Sequence, residues 1–355
     1  MVAGEYAVLD SNQSLVVTAV DRFIYVEIKK SERNSLTLAN YELHNISFDF
    51  IKGNISLDIE DERTSFVRSA MNVIYNYLQE QGIATFPVAL KVNSELDDKD
   101  GIKYGLGSSA AVVTGVVTAL LTMFLKKSPE KQLIFKLAAI AHVNIQGSGS
   151  GADIAASTYG GMLKYTSFQA EWLLKEMEQT DSVTALIEKD WHYLTIEELS
   201  FPPSWEMIVG WTGSPASTAK LVPRVLAYKE VNPTQFNRFL EKSTKAVKDI
   251  LLGIRSKNEA QFFQGINNNR EALAEIGAFA NVPIETPLLY ELQRIAKQYE
   301  SAGKLSGAGG GDCGIAFTIS PENKKKIIDA WEKVGIKYLP ITFYPDGAKS
   351  VKYIE

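Results

Sequence analysis

The segment Lys103-Tyr104-Gly105-Leu106-Gly107-Ser108-Ser109-Ala110-Ala111 constrains this chain more than any other. Two glycines and two serines run straight into an apolar stretch that continues to Leu125. Glycines let a backbone turn its N–H groups inward, and the start of a helix adds unpaired donors and the positive end of its dipole. Such a loop is a cradle for an anion, phosphate above all, and the hydroxyls of Ser108 and Ser109 can add ligands to phosphate or to a metal. A plain Gly-Ser turn capping a helix is the alternative reading. No G-x-x-x-x-G-K-[ST] pattern occurs, and no third glycine stands at dinucleotide-fingerprint spacing, so neither of those phosphate loops is meant. The apolar stretch from Ala110 to Leu125 holds Thr114, Thr118 and Thr122 and falls short of the ~18–20 apolar residues of a membrane span. It reads as a core helix, and no membrane partner is expected.

Two more glycine-serine segments lie far along the chain. Gln146-Gly147-Ser148-Gly149-Ser150-Gly151-Ala152-Asp153 ends in an acid at the start of an apolar helix. Asp153 is there either as a helix cap or as a carboxylate that orients or deprotonates a nucleophile. Lys304-Leu305-Ser306-Gly307-Ala308-Gly309-Gly310-Gly311-Asp312-Cys313-Gly314 has five glycines within eight residues, from Gly307 to Gly314, and leads into a strand. It is read as a shaped loop that lets backbone approach a ligand, against the alternative of a flexible linker. A fourth segment, Gly210 to Lys220, is rich in hydroxyls, Ser217 among them, and ends near Lys220 and Arg224. It is either a strand-to-helix loop or a second phosphate site.

A chain of 355 residues is long enough for two domains. The boundary is placed near residue 195, giving units 1–195 and 196–355. Helices are expected at 64–79, 109–125, 233–252, 258–279 and 286–302, and another opened by Ser128 as N-cap and running to about 145. Strands are expected at 14–20, 23–28, 86–92, 162–165, 205–211, 314–319 and 338–343, with short strand-like pieces over 35–60. The segment 169–198 shows no clear period. Interleaving of both element types indicates an α/β or α+β fold. The single cysteine, Cys313, forbids an internal disulfide, and His44, His142 and His192 are scattered. With Glu5 and Asp10 where a signal peptide needs an apolar run, a cytoplasmic protein is expected. The net charge of −5 argues against a nucleic-acid partner.

Three separate anion-type loops, joined by Ala3-Gly4-Glu5-Tyr6-Ala7-Val8-Leu9, Ala19-Val20-Asp21-Arg22, Tyr159-Gly160-Gly161 and Gly210-Trp211-Thr212-Gly213, make the chain resemble the GHMP kinases from end to end. The resemblance implies an α/β N-terminal domain of ribosomal-protein type, a ferredoxin-like C-terminal domain and a site in the cleft between them. It implies transfer of the γ-phosphoryl group of ATP, with Mg²⁺, to the small molecule 5-phosphomevalonate, by a monomer or homodimer; the alternatives are phosphorylation of mevalonate or decarboxylation of its diphosphate on the same fold, or ligand binding without catalysis. Gly105, Leu106, Gly107, Ser108, Ser109 and Ala110 would hold ATP, and the Ser109 hydroxyl would serve the metal. Asp153 and Lys103 would be catalytic. Ser148, Ser150, Ser217, Lys220, Ser306, Gly307, Ala308 and Gly309 would face the acceptor. The family carries Pro-Gly-Lys-Leu ahead of the first motif, with a catalytic lysine, and that lysine is not in the sequence from Met1 onward. Some members place a metal-binding glutamate eleven residues before the aspartate, and His142 stands there.

Overall fold

The computed structural model describes residues 1–96, 104–215 and 218–352. The N-terminal part runs β1 (Ser14–Thr18), β2 (Ile24–Lys30), β3 (Ser35–Leu38), β4 (Leu43–Ile51), β5 (Asn54–Leu57), α1 (Ser65–Glu80), β6 (Val88–Ser94), α2 (Ser108–Phe124), α3 (Lys131–Gln146), α4 (Ala152–Tyr159) and β7 (Met162–Thr166). It continues through α5 (Ala170–Gln179), α6 (Val183–Glu188) and β8 (Thr195–Leu199). The rest comprises β9 (Glu206–Trp211), α7 (Thr218–Val231), α8 (Pro233–Ser256), α9 (Glu259–Phe279), α10 (Pro287–Gln298), β10 (Ala302–Leu305), β11 (Cys313–Thr318), α11 (Pro321–Lys333) and β12 (Lys337–Leu339).

Strands pair in the orders β2-β6-β3-β4-β5, β1-β7-β8 and β10-β11-β9-β12. The β4–β5 hairpin closes on Lys52 and Gly53, both at positive φ, as a tight two-residue turn requires. In the last sheet every pairing is antiparallel, and β9, β10, β11 and β12 with the helices between them make the split β-α-β topology of ferredoxin-like domains. The expected mixed α/β class and ferredoxin-like second half are therefore found.

Helix α2 is apolar nearly all round because it is covered on several sides, with Val113, Val116, Val117, Leu120 and Leu121 buried. Gly115 lets it touch β2: a Cβ there would stand 2.9 Å from Val26 Cγ2. The two parts are not independent cores. Val2, Ala3, Val16 and Met162 share a buried cluster with Met207, Val209, Ile315 and Phe317. The boundary expected at 195 falls on the first residue of β8, which pairs with β7.

Several local expectations are corrected. The cap of α3 is Glu130, not Ser128, because Glu130 still has extended backbone (ψ 144°) and the helix opens only at Lys131. The helix expected to run to 302 stops at Gln298, since Ala302 pairs with Phe317 as the start of β10. Strand β12 covers only 337–339, and α11, opened by a Ser320 cap and Pro321, was not foreseen. The unreadable stretch 169–198 folds as two short helices and β8. Trp191 fixes its place by packing edge-on against Phe135 and tilted against Phe168 in a buried aromatic group.

Candidate active site

One cleft collects the three glycine-serine loops. It encloses about 3200 Å³ and is lined by Gly107, Ser109, Ser150, Asp153, Ser306 and Ala308 among others. A single small-molecule site takes ~300–1,000 Å³, so this cleft has room for two ligands side by side.

The first wall is the start of α2. Gly107 caps that helix at φ 80° and has no side chain to satisfy the first-turn donors. Ala111 N–H bonds back to the Gly107 carbonyl, while the N–H groups of Ser108, Ser109 and Ala110 open the helix. The α4 start differs. Among the described residues two of its three first-turn donors are used locally: Ser150 Oγ accepts from Ala152 N–H at 3.3 Å, and Asp153 Oδ1 accepts from Ile154 N–H at 3.0 Å. The α4 cap is Gly151, so Asp153 lies inside the first turn, not at the cap. Two helix starts of similar composition thus differ, and among the described residues the more open one is at Ser108.

Asp153 lies against this loop. A Cβ on Gly107 would meet Asp153 Cβ at 3.1 Å. From the other side comes Asp312, itself at φ 51°, whose Oδ2 would be 2.6 Å from a Cβ on Gly105. Alternate glycines of the loop therefore each carry a carboxylate as neighbour, one from each half of the chain. Gly105→Ala should lower the melting temperature by a destabilisation above ~1 kcal/mol, because φ is +71° there and Asp312 blocks the methyl. An unchanged melt for Gly105→Ala would show that the loop yields freely.

Ser109 Oγ and His142 Nε2 are 3.1 Å apart. Burial holds the His142 imidazole below its usual pKa, with the Asp153 charge opposing, and the ring lies near Phe66. A neutral imidazole beside Ser109 adds no negative charge to an anion cradle.

The second wall is the loop after β10. Gly307 and Gly309 have φ of 85° and 72°. Among the described residues, no acceptor pairs with the N–H groups of Gly307 and Ala308, whereas Ser306 N–H is held by the Cys313 carbonyl and Gly310 N–H by that of Ile284. Successive open donors in alternating backbone conformations form an anion nest. The Ser306 hydroxyl donates to the Met1 carbonyl at 2.9 Å. Beneath the loop, buried Lys304 donates to Glu5 Oε1 at 2.5 Å. Tyr6 donates to the Ala308 carbonyl at 2.6 Å.

Among the expected site residues, Gly105 to Ser109, Ser148, Ser150, Asp153 and Ser306 to Ala308 line this cleft, with Ser148 exposed and Ser150 buried, whereas Ala110 is wholly buried behind the loop and Gly309 packs on the Ile284 carbonyl. Lys220 is exposed on the first turn of α7 and is not among the cleft-lining residues. Arg224 donates to the Asn281 carbonyl. Lys103 and Ser217 lie outside the described residues. Reading the sequence missed His142 as a neighbour of Ser109, and missed Glu5, Tyr6 and Lys304 as braces. The last three stand inside two of the quoted segments, which was the one hint of them in the sequence.

An open helix start and an open nest lining one cleft, with the Asp153 carboxylate against the first, suit an enzyme that handles phosphate, the working plan of a small-molecule kinase. The chain belongs to the GHMP kinases. The family model for the N-terminal domain matches residues 65–161 and that for the C-terminal domain residues 254–337. The phosphomevalonate kinase of Streptomyces sp. (strain CL190) is 30% identical over 355 aligned residues, spanning 96% of this chain and 94% of the relative. A Listeria innocua protein, Lin0012, superposes with TM-score 0.90 at 40% identity, covering 96% of this chain and 94% of the other. The Streptococcus pneumoniae phosphomevalonate kinase in complex with phosphomevalonate and AMPPNP gives TM-score 0.82 at 26% identity, covering 96% and 95%.

Proposed function

We propose that this kinase transfers the γ-phosphoryl group of ATP to 5-phosphomevalonate, giving 5-diphosphomevalonate and ADP. The observation that carries the reading is the second nest at Gly307 and Ala308, on the same cleft as the open start of α2. A phosphate-ester acceptor can place its phosphate on such a second cradle. Full-length likeness to phosphomevalonate kinases supports the same choice.

In this proposal Gly105, Leu106, Gly107, Ser108, Ser109 and Ala110 hold the ATP phosphates. Ser148, Ser150 and the Ser306–Gly309 loop face the acceptor, and Asp153 orients the acceptor phosphate or a cation beside it. Lys103 remains a candidate cation. A division near 195 would give each domain one wall of the cleft. The acceptor phosphate has a second pKa of ~6 and is already largely ionised at neutral pH, so a strong general base is dispensable. Charge is the harder problem. Two unit charges 4 Å apart repel by about 4 kcal/mol at an effective dielectric of ~20.

Among the described residues no cluster of His, Cys, Asp and Glu could hold a metal by itself. That fits Mg²⁺, which takes few protein ligands and completes its shell with water and phosphate oxygens. Ser109 would hold it, and the ion would neutralise charge on the transferring group. The proposal is of a cytoplasmic enzyme, monomer or homodimer, with no nucleic-acid partner. Among the described residues no helix is long and apolar enough to cross a membrane.

The test offers ATP with mevalonate, 5-phosphomevalonate and 5-diphosphomevalonate in turn and identifies the product. Diphosphomevalonate from the second is expected. Turnover of mevalonate alone would make the protein a mevalonate kinase, and release of carbon dioxide from the third a decarboxylase. Nucleotide binding by calorimetry without any product would make it a silent member of the fold.

A further inference from the structure

The backbone at Tyr6 is unusual. Its φ is 60° and ψ −47°, and Ala7 N–H donates to the Glu5 carbonyl at 2.7 Å. That is the strained form of the γ-turn, a conformation that bulky residues avoid. Such strain persists only when surrounding contacts over-determine it, and it clusters at functional sites. Here the contacts are specific. Glu5 and Tyr6 are consecutive, yet both reach one distant segment: Glu5 to Lys304 Nζ and the Tyr6 hydroxyl to the Ala308 carbonyl. The Tyr6 side chain is itself buried at 4% exposure. Ala308 sits in the middle of the nest. Fixing its carbonyl fixes the peptide plane shared with Gly309, and the glycines on either side, at φ 85° and 72°, offer little resistance of their own.

We propose that Tyr6 is a positioning residue for the acceptor: through the Ala308 carbonyl, the strained turn at Tyr6 holds the Ser306–Gly309 nest in the geometry that binds the acceptor's phosphate. The inference rests on the proposed acceptor. Its mechanism is mechanical, not chemical. Tyr6 donates one hydrogen bond, and burial together with the Glu5 charge raises its phenol pKa, so it stays protonated.

The test is Tyr6→Phe, which keeps the buried ring and removes only the hydroxyl. KM for 5-phosphomevalonate should rise on the order of tenfold, while KM for ATP and the melting temperature stay near wild type. Amide hydrogen exchange over 304–313, measured without ligand, should accelerate while exchange in α2 does not. An unchanged acceptor KM overturns the inference. So does a KM change without faster exchange in the loop, because Tyr6 would then touch the acceptor itself. Parallel rises in both KM values, or loss of a cooperative melt, would make Tyr6 a folding residue only. The wild-type protein run beside it separates the two ideas: if it fails to turn over 5-phosphomevalonate, the acceptor assignment fails, whereas the exchange result still judges the brace.

Discussion

Asp153→Asn should lower kcat by at least ~10²-fold, the scale of a lost acid–base or orienting carboxylate. The substitution is nearly isosteric. An asparagine carbonyl oxygen can still accept from Ile154 N–H, as Asp153 Oδ1 does at 3.0 Å, so α4 should keep its first turn. What disappears is the negative charge beside Gly107. Steady-state kinetics with both substrates, alongside a melting curve, give the answer. A kcat within tenfold of wild type at unchanged stability would remove Asp153 from the chemistry. A large loss of stability would instead place it among the residues that shape the loop.

Lys304→Met should destabilise the protein by about 3–5 kcal/mol, because it leaves the Glu5 carboxylate buried without its counter-ion. Both side chains are almost wholly enclosed, at 0% and 1% exposure, so solvent cannot take over. Glu5 Oε2 already has no hydrogen-bond partner, which leaves Oε1 and its bond to Lys304 as the main compensation for burying the charge. The double replacement Glu5→Gln with Lys304→Met should recover most of the loss, since removing both charges removes the uncompensated one. Denaturant unfolding of the single and double variants measures this directly. Equal stability of the single variant and wild type would show that water or a rearranged cation reaches Glu5.

These predictions divide according to what could be read from the chain. The anion loops were legible because glycine and serine chemistry is local: Gly105 and Gly107 need positive φ, and Ser108 opens a helix whose apolar run is plain. The two long helices α8 and α9 were legible from periodicity over many turns. The segment 169–198 was not, because helices as short as α6 carry too few turns to show a period, and Trp191 acquires its place only by packing on Phe135. The end of α10 was misread for a related reason: Ala302 is a strand residue only because Phe317 is opposite it.

Residue type and spacing alone determined that this chain builds several phosphate-type loops on an α/β framework, because backbone freedom, helix starts and hydrophobic period are properties of a few neighbouring residues. The tertiary structure alone decided which groups those loops meet. Asp312 against Gly105, His142 against Ser109, Tyr6 on Ala308 and Glu5 on Lys304 bring together residues from 33 to 302 positions apart, and the last pair 299 apart. No local pattern encodes such pairs. They follow from how sheets and helices close around one another, and from the need of every buried charge and donor to find its partner there.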